Sequence, residues 1–102
     1  MLSGNMGSFT SSSAAGTASG DTLITHDAAS LGYPDAEVYI AAASGTAPSA
    51  GTYGSELDTT SWTKLTSASM DVTLTTGYKY TIAALVDGKV IATSTGTVTS
   101  KA

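Results

Sequence analysis

After residue 20 the chain alternates apolar and polar positions with a period of two, the spacing of a strand with one buried face. The clearest run is 36–43, with Val38, Ile40 and Ala42 on one face and Glu37, Tyr39 and Ala41 on the other. Met70, Val72 and Leu74 form a second run, and Tyr78, Tyr80, Ile82, Ala84 and Val86 a third. Asp87-Gly88 then separates this third run from a return strand opening on Lys89-Val90-Ile91-Ala92. That pair suits a type I′ turn, in which both central residues need positive φ. Strands are predicted over 21–27, 36–43, 61–66, 69–75, 78–86 and 89–99, with no helix and no internal repeat. Tyr33-Pro34-Asp35 predicts a turn, since proline fixes φ and aspartate bonds back to the backbone. Residues 44–60, with Gly45, Pro48, Gly51 and Gly54, form the longest irregular stretch. Loops of that length are usually functional or disordered.

Residues 1–20 lack this alternation. Leu2, Met6 and Phe9 are their main apolar anchors in a matrix of Ser, Gly and Thr, which predicts an arm that is mobile in an isolated monomer. The expected organisation is therefore an extended arm over 1–20 and a β-sandwich over 21–102. Truncation at residue 20 is expected to leave the sandwich folded.

Pairing Val86 with Lys89 places Ala84 opposite Ile91 and Ile82 opposite Thr93 on one face of the last hairpin. Leu85 with Val90 and Ala83 with Ala92 then occupy the other. One apolar face serves the core. The second is either covered by the chain's own loops or offered to a neighbour, as exposed apolar patches on small domains often are.

Composition narrows the class. In 102 residues there are 18 Thr, 16 Ala, 15 Ser and 11 Gly, and only 12% are charged, which suits thin, closely packed sheets in one domain. Four scattered lysines, no arginine and a net charge of −4 exclude a phosphate-tracking surface, so nucleic acid is not an expected partner. Without cysteine there is no disulfide framework and no thiolate zinc site. No apolar run reaches membrane-spanning length, and Met1 to Asn5 show neither a basic n-region nor an apolar h-region. The expectation is a chain folded in a cytoplasm, or a mature fragment, with no membrane partner.

The residues that carry chemistry are few. His26 is the single histidine, and Asp27 beside it points to the opposite face of a strand, so the two do not converge on one site. None of the eight acids shows the spacing of a calcium loop; Glu56 and Asp58 are the best candidate pair. Tyr33, Tyr39, Tyr53 and Trp62 offer rings for stacking on sugar faces, Tyr39 being the ring expected to be exposed and Trp62 serving equally as core filler. No cofactor, metal site or catalytic set is expected.

Leu74-Thr75-Thr76-Gly77-Tyr78-Lys79-Tyr80 resembles the tyrosine corner of fibronectin type III and immunoglobulin-like domains. Over roughly residues 36–99 the strands match the C, C′, E, F and G order. Thr76 replaces the usual proline, the strand-B tryptophan is missing, and the region before residue 36 is weakly patterned. The resemblance implies an all-β, Greek-key, Ig-like sandwich. It also implies that the Tyr80 hydroxyl bonds back to the backbone just upstream. Small Ig-like proteins of this kind are similar to head decoration (cement) proteins of tailed bacteriophages. That implies a non-enzymatic virion protein, a homo-oligomer such as a trimer around a threefold, bound to the major capsid protein lattice. By this analogy Leu2, Met6 and Phe9 anchor the arm, while Leu85, Val90 and Ala92 meet a neighbour. Two alternatives stand beside it. One is a carbohydrate-binding or adhesive module, extracellular or at a cell surface, using Tyr39, Tyr53 and Trp62. The other is a tail, baseplate or filament subunit.

Overall fold

A computed structural model describes residues 5–102. Eight strands run in the order β1 (Gly7–Ser8), β2 (Ser11–Ala15), β3 (Thr22–His26), β4 (Glu37–Ala43), β5 (Thr63–Lys64), β6 (Ser69–Val72), β7 (Lys79–Val86) and β8 (Lys89–Thr97). One turn of 3₁₀ helix, Ala28–Leu31, follows β3 and ends at Gly32 in the left-handed conformation. The strands make a five-stranded sheet, β1-β8-β7-β4-β5, and a three-stranded sheet, β2-β3-β6. The two pack together as a small all-β sandwich.

The period-two runs account for the core. Val38, Ile40, Ile82 and Ala84 face inward from the larger sheet, Ile24 and Val72 from the smaller. β7 is buried on both faces from Tyr80 to Leu85. Asp87 and Gly88 have φ of 52° and 77°, as the tight hairpin requires.

The N-terminal segment is where the structure departs most from the sequence reading. The part of the expected arm that is described supplies two strands. β1 pairs in parallel with β8 (Gly7 with Ala92, Ser8 with Thr93), and β2 pairs antiparallel with β3 along its whole length. Between them Phe9, only 9% exposed, enters the core shared by the sheets. Its ring stands edge-on to His26, with centroids 6.1 Å apart. The physical reason is that β2 is held by backbone pairing and hydroxyls, neither of which needs an apolar stripe. Ser11 Oγ lies 3.0 Å from the Tyr80 hydroxyl and 2.6 Å from Ser94 Oγ, joining the two sheets across their seam. Two residues on, Ser13 Oγ donates to the Thr97 carbonyl and accepts from the Thr99 amide.

Tyr80 therefore does not close the expected corner onto its own upstream backbone; its hydroxyl reaches across to Ser11. Its ring covers Gly96, its cross-strand partner, where a Cβ would come within 2.5 Å of the hydroxyl oxygen.

The hairpin register is a second correction. Val86 pairs with Lys89 and Leu85 with Val90 as expected, but a bulge at Ala84/Leu85 then sets Ala84 opposite Ala92 and Ile82 opposite Ser94. The extra residue reverses the alternation beyond it. Ala92 thus joins the core between the sheets, while Leu85 and Val90 stay on the outer face.

Residues 44–60 cover that outer face. Ala50 packs with Ala83, Leu85 and Val90, joined by Met6, Tyr39, Leu57 and Trp62. Gly54 N–H donates to the Val90 carbonyl at 2.7 Å, Val90 N–H to Ser55 at 2.9 Å, and Glu56 bridges to Lys89. The outward edge of β8 is thereby covered in turn by residues 54–57, by β1 and by Ser13, which blunts a strand edge otherwise open to other chains.

Because Phe9 is the one large apolar side chain that the β1–β2 connection sends into the core, Phe9→Ala is expected to cost about 3–5 kcal/mol. Urea unfolding checks this. By the same packing, deletion of residues 1–20 should give an unfolded chain by circular dichroism, not a trimmed sandwich.

Candidate functional site

Of the residues singled out for partner contact, Phe9, Leu85, Val90 and Ala92 are buried within the chain. Leu85, Val90 and Ala92 are 2%, 0% and 1% exposed. Met6 packs on the outer cluster, Phe9 lies in the core, and Leu2 lies outside the described residues. The reason is the loop cover on one side and the bulge on the other, neither of which alternation alone encodes.

The aromatic candidates separate. Tyr39 and Trp62 are both half-buried against the outer cluster, so Tyr39 is not the free ring expected. Tyr53 lines a different cleft, of about 470 Å³, above the outward threonines Thr81, Thr93 and Thr95. Tyr33 is the large apolar side chain that remains exposed among the described residues, at 50%.

The acids act as pins. The Asp71 carboxylate accepts from the Thr17 and Ala18 amides and from Thr17 Oγ1 at 2.7 Å, fixing the β2–β3 turn to β6. Those donors hold its pKa below the ordinary value of 3.8, the Thr17 hydroxyl contributing most. Asp27 accepts from the Thr10 amide at 2.7 Å, and Asp21 from Thr73 Oγ1 at 2.8 Å. Asp58 is occupied with the Thr60 amide and hydroxyl, which lower its pKa, and Glu56 lies in the bridge to β8. Among the described residues no three His, Asp or Glu side chains gather as metal ligands.

His26 is different. On β3 it follows Thr22 and Ile24 at two-residue steps, so its ring points between the sheets. Nδ1 accepts the Ala28 amide at 3.2 Å, which places the ring proton on Nε2. Nε2 is buried without a partner, the single such side-chain nitrogen or oxygen among the described residues. Leaving a buried donor unmatched costs about 1–3 kcal/mol. Burial pushes the His26 pKa below 6.5. The nearby Ser67 backbone and the Asp27 charge oppose that shift, but the Ser67 backbone does not complete a hydrogen bond to Nε2.

The ring also forms one wall of an open cleft of about 440 Å³ at this end of the sandwich. Val38 and Leu65, both buried, line it together with the exposed Tyr33 and Pro34 and the exposed residues 66–68. Sequence reasoning placed His26 at a strand end and missed this cleft. The available signal was a polar ring in the inward register of Thr22 and Ile24.

Two pH effects follow. The unfolded chain binds a proton at His26 more readily than the folded one, so this contribution to stability is full above 6.5 and declines as pH falls through the lowered folded value. Thermal melts between pH 7.5 and pH 5 (about the range in which histidine titrates) should show falling stability, flattened in His26→Phe.

Asp71 also has a depressed folded pKa. Its contribution is present above 3.8 and lost as pH falls through the folded value. Asp71→Asn should lower the melting temperature at neutral pH, and the gap to wild type should close in strong acid.

No protein-family model matches this chain, and comparisons with curated proteins and with solved structures found no match.

Proposed function

We propose that the chain is a non-enzymatic structural domain that works by packing against other polypeptides in a larger assembly. In its specific form it is a capsid decoration protein, bound to the major capsid protein lattice of a bacteriophage head. One observation carries this reading: half of the chain's eight carboxylates are spent on its own donors. Asp21, Asp27, Asp58 and Asp71 bind the chain's own amides and hydroxyls, and Ser11 and Ser13 stitch the sheets. The strand order supports the Ig-like side of the analogy. β2-β3-β6 facing β5-β4-β7-β8 is the arrangement expected of a fibronectin type III-like Greek key, with β1 added in parallel at the edge of β8.

The mechanism is burial of sparsely charged, Ser/Thr-rich surface across subunit boundaries, without a chemical step. Since Phe9, Leu85, Val90 and Ala92 are buried within the chain, contact falls to other surface. The decoration reading therefore does not depend on a lacing arm.

A second reading, a carbohydrate-binding or adhesive module, is favoured by the cleft that Tyr53 lines together with Thr93 and Thr95. A tail, baseplate or filament subunit shares the packing logic and differs in symmetry.

Co-sedimentation with capsids assembled from the major capsid protein of the same source tests the proposal. Saturable binding at a fixed copy number per capsomer is expected, with oligomers of matching symmetry. A free monomer that ignores capsids, yet shows sugar-dependent shifts at Tyr53, would replace it with the binding module.

A further inference from the structure

His26 sits between two stretches of backbone, and its two ring nitrogens treat them differently. Nδ1 accepts the Ala28 amide at 3.2 Å, while Nε2 lies buried beside the Ser67 backbone without completing a bond. Accepting at Nδ1 requires the neutral ring, because an imidazolium carries N–H on both nitrogens and accepts at neither. We propose that the His26–Ala28 bond is a pH-operated latch: protonation of the ring releases Ala28, and residues 28–36 swing away while the two sheets stay paired. This goes beyond the assembly reading and does not depend on it.

The way the segment is attached makes the release local. Once Nδ1 is protonated, it and the Ala28 amide face each other as two donors, and Ala28, 5% exposed, finds no water without moving. The other backbone bonds made by residues 28–36 stay within 27–36: Ser30 to Asp27 at 2.8 Å, Gly32 to Ala29 at 3.2 Å and Ala36 to Tyr33 at 3.1 Å. Asp27 itself is fixed, since its amide donates to the Thr10 carbonyl and its carboxylate accepts from the Thr10 amide. The chain can therefore pivot just after Asp27. On the other side, the His26 amide donates to the Ala68 carbonyl at 2.9 Å, a backbone bond that ring protonation leaves intact.

The surroundings set the sign. Asp27 is the charged group that acts on the ring, and it favours the protonated form. The residues lining the cleft from β4 and from 65–68 carry no ionisable group, nor does Phe9, edge-on to the ring. Burial opposes protonation more strongly than Asp27 favours it, and opening removes the burial. The open form binds the proton more readily, so below the ordinary 6.5 falling pH favours opening by up to about tenfold per pH unit.

An NMR titration of the ¹⁵N-labelled full chain from pH 7.5 to pH 5 (about the range in which histidine titrates) tests the latch. As the His26 ring titrates, the Ala28 amide should shift and lose its protection from hydrogen exchange, while the β7 amides remain protected. In His26→Asn the side-chain oxygen replaces Nδ1 as an acceptor two residues before the amide and does not titrate. Ala28 should then stay protected throughout. His26→Phe has no acceptor there, and its Ala28 amide should be unprotected at every pH. An Ala28 amide that stays protected after the ring has titrated would overturn the proposal. So would loss of β7 protection together with Ala28, or an Asn variant that opens in acid as the wild type does.

Discussion

The seam between the two sheets is closed by the serines of β2: the Ser11 hydroxyl lies between Tyr80 on β7 and Ser94 on β8, and Ser13 bonds to the Thr97 carbonyl of β8. A sandwich whose core is largely Val, Ile and Ala has limited apolar area to bury, and each uncovered edge would cost it stability and invite pairing with other chains. The N-terminal segment meets both needs. It places Phe9 in the core, pairs β1 with one sheet and β2 with the other, and uses Ser11 and Ser13 to close the gap. Tyr80 can reach Ser11 because its cross-strand partner is Gly96, over which the ring lies. The interior then has hydroxyl groups at the seam where a larger domain would have leucine.

This explains which parts of the fold were legible. β4, β7 and β8 were readable because burial is written in them as alternation, and Asp87-Gly88 fixes the hairpin between them. β1 and β2 were not, because a run of serines that pairs through its backbone and bonds through its hydroxyls has the composition of a linker. The bulge at Ala84/Leu85 was equally hidden. Nothing in Leu85, Val90 or Ala92 says that one residue will be inserted between them and that Ala92 will turn inward. The cover over Leu85 and Val90 comes from Ala50 and Leu57, in a stretch whose glycines read as irregular loop.

The candidate site followed the same logic. Hydrophobicity pointed to Leu85 and Val90 as a contact surface, and the chain had already used them. His26 stood out only once its neighbours were in place, because an unmatched donor is a property of the surroundings. What remains for contact is a sparsely charged, net acidic surface rich in Ser and Thr, with Tyr33 as its exposed large apolar side chain among the described residues.

Native-state hydrogen exchange on the isolated chain tests most directly the claim that the N-terminal segment is integral to the sandwich. The amides through which Ser11–Ala15 pairs with Thr22–His26 should be protected to the same free energy as those of β7, opening only with global unfolding. Exchange of the β2 amides at rates near those of a free peptide, while β7 stays protected, would contradict the account and restore the arm.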